Sequence, residues 1–498
     1  MRKKQINTVI KKAAVLGLSG VMTLSLFGCG NGAKANKDMS NVSLSFEDGR
    51  DLTIGSWWRE YYASDDVIED CVDWETAQYK DDDTEAEKKE KEVNQRACQA
   101  KFNKVGELET KYNCKFHWNN LTYDGTKESI NTSILAGSPD CEIYMVDTKI
   151  AIPAQSNGLI KDLKTILPAD HDLFTEQKVF TYLDTGDGKA CILRVQGGLD
   201  NTFPLAFNVQ MLQENNLEDP RDLYEKGEWT WDKFIEYCEV LTKDTDGDGQ
   251  TDQYGYCGFA NDTFAQLLMS NGAAVAAGET ETLTSAATGE VATMLQDMYN
   301  KYNVCYPYDP YENGGNPSES MRFQYNNGNI AFFPISVWIQ AQNGNYPADK
   351  DGQGNLTWDT AYVHWPVGPS GNKETNPMYN SADGNFFVIP ASYSDEEAYR
   401  IFNFLYDLYN WYDGDISFRD DPATANWWYN ETSNKEELKE WNFGIQKECL
   451  ARPGIELWES LGTDMGLEQL VMNEMTPAQF QETYKQEIQD ALDSVFGN

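Results

Sequence analysis

Along the chain, apolar and polar positions sort into two kinds of segment. Short apolar runs bounded by turn residues read as strands: Leu52–Trp57 (LTIGSW), Lys115–Trp118, Cys141–Val146, Ile330–Phe333 and Phe386–Ile389. Longer stretches with apolar residues every three or four positions read as amphipathic helices: Ala97–Tyr112, Lys127–Ala136, Trp231–Thr242, Ala292–Tyr302, Glu397–Tyr409 and Pro477–Phe496. Strands that alternate with helices predict βαβ units and a mainly parallel sheet, hence an α/β fold. The alternation starts afresh after Phe203. A chain of this length exceeds one core, so two lobes joined by more than one crossing are expected. Residues 47–200 with 385–430 would form the N-terminal lobe, and 201–384 with 431–498 the C-terminal lobe.

Three segments break the pattern. Tyr61–Gln95 contains KDDDTEAEKKEKE and reads as an exposed helical or mobile insertion, since such a charge run cannot line a core. Asp244–Gly255 reads DTDGDGQTDQYG. Asp244, Asp246, Asp248 and Asp252 stand at the first, third, fifth and ninth places of an EF-hand calcium loop, with Gly249 at the sharp turn and Gln250 at the carbonyl-ligand place. The twelfth place, normally a bidentate glutamate, is Gly255, so one ligand must come from elsewhere. A structural calcium ion is the expectation, and a solvated acidic turn explains the same residues through backbone preference alone.

The third segment is the start of the chain. Basic residues lead into an apolar run from Ala13 to Phe27 and then Leu26-Phe27-Gly28-Cys29, a pattern of export rather than of a lasting membrane span. The ending is similar to the bacterial lipoprotein box. It implies a signal peptide over 1–28, lipidation (diacylglyceryl and palmitate chains) at Cys29, a flexible tether over 29–46, and a place on the outer face of the cell membrane.

Charge then removes function classes. The 40 basic residues face 80 acidic ones, a net charge of −40, and cleavage before Cys29 takes away five basic and no acidic residues, giving −45. Such a field repels phosphate backbones and rules out nucleic-acid partners. Ten scattered cysteines without a Cys-x-x-Cys pair, and three distant histidines (His117, His171, His364), argue against finger-type zinc sites. Cysteines in apolar runs, such as Cys141 and Cys191, read as small core residues.

The order of five motifs resembles one family. LAGSPDCEIYMVD (135–147), NGLIKDL (157–163), PLAFNVQMLQENNLEDP (204–220), WTWDKFIEYCEVLTKDTDGDGQTDQYGY (229–256) and NNGNIAFFPISVW (326–338) together are similar to the family 1 extracellular solute-binding proteins, the sugar-capturing lipoproteins of bacterial ABC importers. The resemblance implies a two-lobe periplasmic-binding-protein-like fold with the ligand cleft between lobes. It also implies a monomer that delivers a sugar or oligosaccharide to membrane permease subunits, and a structural role for the aspartate loop.

In open α/β sheets ligands sit beyond the carboxyl ends of strands. Sugars offer apolar CH faces and hydroxyl rims, which suit aromatic planes beside carboxylates and amides. On that basis the candidates are Trp57, Trp58 and Arg59 after the first strand, Asp147 after YMV, Trp338 after FFPIS, and Asp383 and Asn385 before FFVIP. Only one of Trp57 and Trp58 can face a ligand, because neighbours on a strand point to opposite sides. Asp147 is equally explained as a helix cap. Trp458 resembles an aromatic that relatives contribute from the last segment; Trp427 and Trp428 are weaker candidates, while Trp229 and Trp231 read as packing residues. No catalytic residue is expected. The rival reading is a secreted glycoside hydrolase, which needs two carboxyls at a set separation across one bond; nothing in the sequence singles out such a pair.

Overall fold

Two mixed sheets, each covered on both faces, organise the molecule. A computed structural model of the chain describes residues 39–57, 74, 77–81, 83, 85–185, 188–196, 202–307, 328–335, 358–379, 385–419, 433, 435–454, 456–461 and 465–496. The first sheet has β1 (Asp51–Ser56), β2 (Lys115–Asn120), β3 (Ile143–Val146), β4 (Phe180–Tyr182), β5 (Leu193–Val195) and β13 (Phe386–Val388), in the order β2-β1-β3-β13-β5-β4. The second has β6 (Leu205–Asn208), β7 (Tyr254–Tyr256), β10 (Ile330–Pro334) and β11 (Thr360–Val363), in the order β11-β6-β10-β7. Two small ribbons complete the strands: a hairpin of β8 (Ala276–Ala277) and β9 (Thr280–Glu281), and the parallel pair β12 (Met378–Tyr379) with β14 (Pro453–Gly454).

The period-two pattern places each strand between two cores. On β3, Ile143 and Met145 join one cluster while Tyr144 and Val146 join another, and Phe387 on β13 lies opposite Phe386 and Val388 in the same way. On β11, Ala361 and Val363 face one side and Tyr362 the other. The expected mainly parallel sheet is corrected here. β1 is parallel to β2 and β3, but β13 runs antiparallel to both β3 and β5, and β6 antiparallel to β10 and β11. β6 and β13 each follow a passage of the chain from one sheet to the other, and they enter their new sheet against its βαβ strands.

The charged run is helical from Glu85 onward, the first of the two expected options. Helix Glu85–Tyr112 is continuous, so residues 85–95 extend the predicted 97–112 helix rather than forming a separate insertion. Its later turns bury Val105, Leu108 and Tyr112, and Tyr112 meets Phe404 edge-on at 5.4 Å. Helix Asp395–Tyr409 opens with a capping box between Ser394 and Glu397, and its buried Ala398, Ile401, Phe402, Leu405 and Leu408 recur at helical spacing.

Helix Glu436–Ala451 closes the exposed edge of the second sheet. Asn442 donates from Nδ2 to the Thr360 carbonyl and accepts from the Tyr362 N–H at 2.9 and 2.8 Å, so a side-chain amide replaces a neighbouring strand. Trp229 and Trp231 are packing residues, 1 % and 5 % exposed, donating to the His364 carbonyl and to Ser270 Oγ. The eight cysteines among the described residues are all buried and unbridged. Among the described residues no helix is long and apolar enough to cross a membrane.

Candidate functional site

Because β1 pairs in parallel with both β2 and β3, the carboxyl ends of these strands share one edge. Trp57 follows β1 and is half-buried. Tyr123 opens helix Tyr123–Ser133 after β2, where the Thr122 side chain caps the first turn by accepting from the Gly125 N–H. Asp147 follows β3 and caps helix Thr148–Ser156, its Oδ1 accepting from the Ile150 N–H at 2.9 Å. The three side chains meet. Trp57 and Tyr123 stand edge-to-face at 5.2 Å with 76° between planes, and the Tyr123 hydroxyl donates to Asp147 Oδ2 at 3.0 Å. Tyr123 is 39 % exposed although Asp147 beneath it is 3 % exposed. An open aromatic therefore lies above a fixed carboxylate at the mouth of the sheet.

Asn385 belongs to the same edge. β13 is antiparallel to β3 with Phe386 opposite Val146, so Asn385, one residue earlier, comes level with Asp147. Carboxylate, amide and aromatic surface thus converge at the carboxyl ends of β1, β2 and β3. Of the sequence candidates, Trp57, Asp147 and Asn385 lie here. Trp58, Arg59, Trp338 and Asp383, with Trp427 and Trp428, lie outside the described residues. Trp458 is in the second core, 3 % exposed and edge-on to Phe264 at 6.4 Å; its apolar neighbours Leu457 and Leu461 were the signal of a packed helix. Tyr123 was missed, although an aromatic at the first helical position after a strand is a legible sign of a strand-end site.

The second lobe has a separate small cavity. Its walls include Phe203, Tyr224, His364, Trp365, Tyr379 and Arg452. His364 Nε2 meets Glu448 Oε2 at 2.8 Å, and Tyr224 packs on the imidazole at 4.5 Å. Burial pushes the Tyr224 hydroxyl above its ordinary value. The cavity lies within the second lobe, away from the edge where Trp57, Tyr123 and Asp147 meet.

The aspartate loop is a third feature. Asp244 accepts from the Gly247 and Gly249 N–H groups at 2.6 and 2.7 Å, and Asp252 Oδ2 from the Thr245 N–H and hydroxyl at 2.8 and 2.9 Å. These bonds hold both carboxyls below the usual aspartate range. Asp244, Asp246 and Asp252 each offer an oxygen within 4.8 Å of the others. Calcium–oxygen bonds of about 2.3–2.6 Å put opposite ligands about 4.6–5.2 Å apart, so the three oxygens fit one coordination sphere. Asp248 instead accepts from the Gln250 N–H and Nε2 at 2.7 and 3.2 Å and stands outside the trio. Gly255 cannot be replaced by the twelfth-place glutamate: a Cβ there would lie 2.4 Å from Cys238 Cα, because β7 presses on helix Trp231–Leu241.

Comparison with known proteins shows the family and the fold. The family model described as bacterial extracellular solute-binding protein matches residues 100–409. The chain belongs to that family, a class that binds solutes outside the cell between two α/β lobes. No curated protein sequence matches. Among solved structures, similarity extends to the cyclic α-maltosyl-1,6-maltose binding protein of Arthrobacter globiformis (14 % identity, 89 % of this chain and 98 % of that chain, TM-score 0.54). It also extends to an ABC substrate-binding protein of Listeria monocytogenes in complex with cycloalternan (14 %, 90 % and 99 %, 0.52). A maltose/maltodextrin-binding domain of Bdellovibrio bacteriovorus bound to maltotriose is similar to the same degree (13 %, 90 % and 100 %, 0.52).

Proposed function

We propose that this solute-binding protein captures a sugar or oligosaccharide and passes it, without chemical change, to the permease subunits of an ABC importer. One observation carries the sugar reading: Trp57, Tyr123 and Asp147 converge at the carboxyl edge of β1, β2 and β3. The aromatic surface of Trp57 and Tyr123 covers a sugar's CH face, the buried Asp147 carboxylate holds the Tyr123 hydroxyl in place, and Asn385, level beside it, meets the sugar's hydroxyls. The similar structures bound to cycloalternan and maltotriose support the same ligand class. Closure follows because ligand contacts from both lobes exist only in the closed form, so binding shifts the population toward it. A thermal-shift screen of the mature protein against a panel containing maltotriose and cycloalternan tests this. A sugar at hundredfold excess over its Kd adds about 2.7 kcal/mol to native stability, enough to raise the melting temperature visibly. A panel without any shift overturns the reading.

The proposal includes a lipid anchor on Cys29, which keeps a monomeric receptor at the outer face of the membrane. It also includes a structural calcium ion held by Asp244, Asp246 and Asp252 with the Gln250 carbonyl, Asp248 bracing the turn from outside. The ion would supply charge neutralisation for the loop and take no part in ligand transfer.

A further inference from the structure

The segment after β14 ties the two cores together. Trp458, 3 % exposed, belongs to the second core. Two residues on, Ser460 Oγ meets Thr148 Oγ1 at 2.6 Å on helix Thr148–Ser156, which packs on the first sheet. Within this strap Glu456 is 2 % exposed. Its Oε2 accepts a long bond from the Val275 N–H at 3.4 Å, and its Oε1 has no hydrogen-bond partner. Trp458 Nε1 is also buried without a partner. An ionised carboxylate is not stable in such surroundings without a cation or several donors, and among the described residues Glu456 forms no ion pair.

The ionisable groups on the elements around it are Lys149 on helix Thr148–Ser156, Asp262 on helix Ala260–Ser270, Glu279 and Glu281 on the β8–β9 hairpin, and Glu482, Lys485, Glu487, Asp490 and Asp493 on helix Pro477–Phe496. None of them governs its titration. Burial pushes the carboxyl up to about 8, opposed only by the Val275 N–H.

We propose that Glu456 is carried as a neutral carboxylic acid and makes residues 456–461 a pH-sensitive strap between the lobes. When its proton passes to water, the carboxylate must leave the core to be solvated. The strap then loosens together with its Ser460–Thr148 bond, and the lobes separate more easily.

The sign follows from linkage. A carboxyl raised from an ordinary value of about 4.3 contributes stability that is fully present below that value and is lost as pH rises through about 8. The test compares the mature protein with Glu456→Gln by urea midpoint from pH 5 to 9, taking the difference at each pH so that other titrating groups cancel. The variant is expected to gain on the wild type up to about pH 8 and then level off. Hydrogen exchange of amides 457–461 in the wild type, corrected for intrinsic rate, is expected to speed up at least tenfold between pH 6 and pH 9. Helix Asp395–Tyr409 should stay unchanged over that range. A flat difference across pH 5–9 overturns the proposal. If Glu456→Gln does not fold, equal corrected exchange of the strap at both pH values overturns it by itself.

Discussion

Asp147 shows how one residue serves two ends. Its Oδ1 caps a helix and its Oδ2 receives the Tyr123 hydroxyl, so the cap that anchors the carboxylate also orients it toward the strand ends. Tyr123→Phe keeps the ring against Trp57 and removes only the donor to Asp147. A hydrogen bond to a charged group contributes about 1.5–3 kcal/mol. The variant is therefore expected to bind the best sugar of the thermal-shift panel about tenfold more weakly by titration calorimetry. Because the lost bond also stabilises the ligand-free fold, the urea midpoint is expected to fall too, by less than the full value since the residue is 39 % exposed. Unchanged affinity would place the ligand elsewhere.

At the scale of elements, two close fits set the second lobe. Helix Trp231–Leu241 lies so near β7 that Gly255 has no room for a side chain. Gly255→Ala is expected to lower stability by about 1–3 kcal/mol through overpacking against backbone, read as a lower urea midpoint at constant slope. Asn442 fills the edge of β11. Asn442→Ala leaves one buried carbonyl and one buried N–H unpaired, each costing about 1–3 kcal/mol. The same denaturation should therefore show a loss of about 2–6 kcal/mol. A loss under about 0.5 kcal/mol would mean that water replaces the amide at that edge.

For the whole molecule, the proposed calcium ion would act on the stability of the native state and the proposed anchor on its location. Adding a chelator is expected to lower the melting temperature relative to millimolar calcium. Asp244→Asn, which removes the charge of one ligand and keeps one of the turn's two acceptors, should make the two conditions alike. Asp244 and Asp252 are held below the usual aspartate range, so calcium dependence should persist down to pH 5 and fade only in stronger acid. Cys29→Ser is expected to move the protein from the membrane fraction to the soluble fraction on cell fractionation.

Much of this was legible in the sequence. The five strands and six helices read from the period of apolar residues all fall on observed elements of the same type, since burial of one face imposes period 2 or 3.6 whatever the partner, while the shorter elements escaped that reading. The two-lobe α/β class, and Trp57, Asp147 and Asn385 as strand-end residues, followed from the same pattern and from the family resemblance. Tertiary structure decided the rest. The direction of β6 and β13 depends on where the chain crosses between sheets, a long-range choice that local periodicity does not encode. Whether a tryptophan faces solvent or core depends on neighbours far off in sequence: Trp458 has the composition of a ligand aromatic but meets Phe264, nearly two hundred residues earlier. Tyr123 meets Trp57 and Asp147 only because parallel pairing brings the ends of three strands to one edge. Local patterns fix which face of a segment is buried, and the folded chain alone fixes what that face meets.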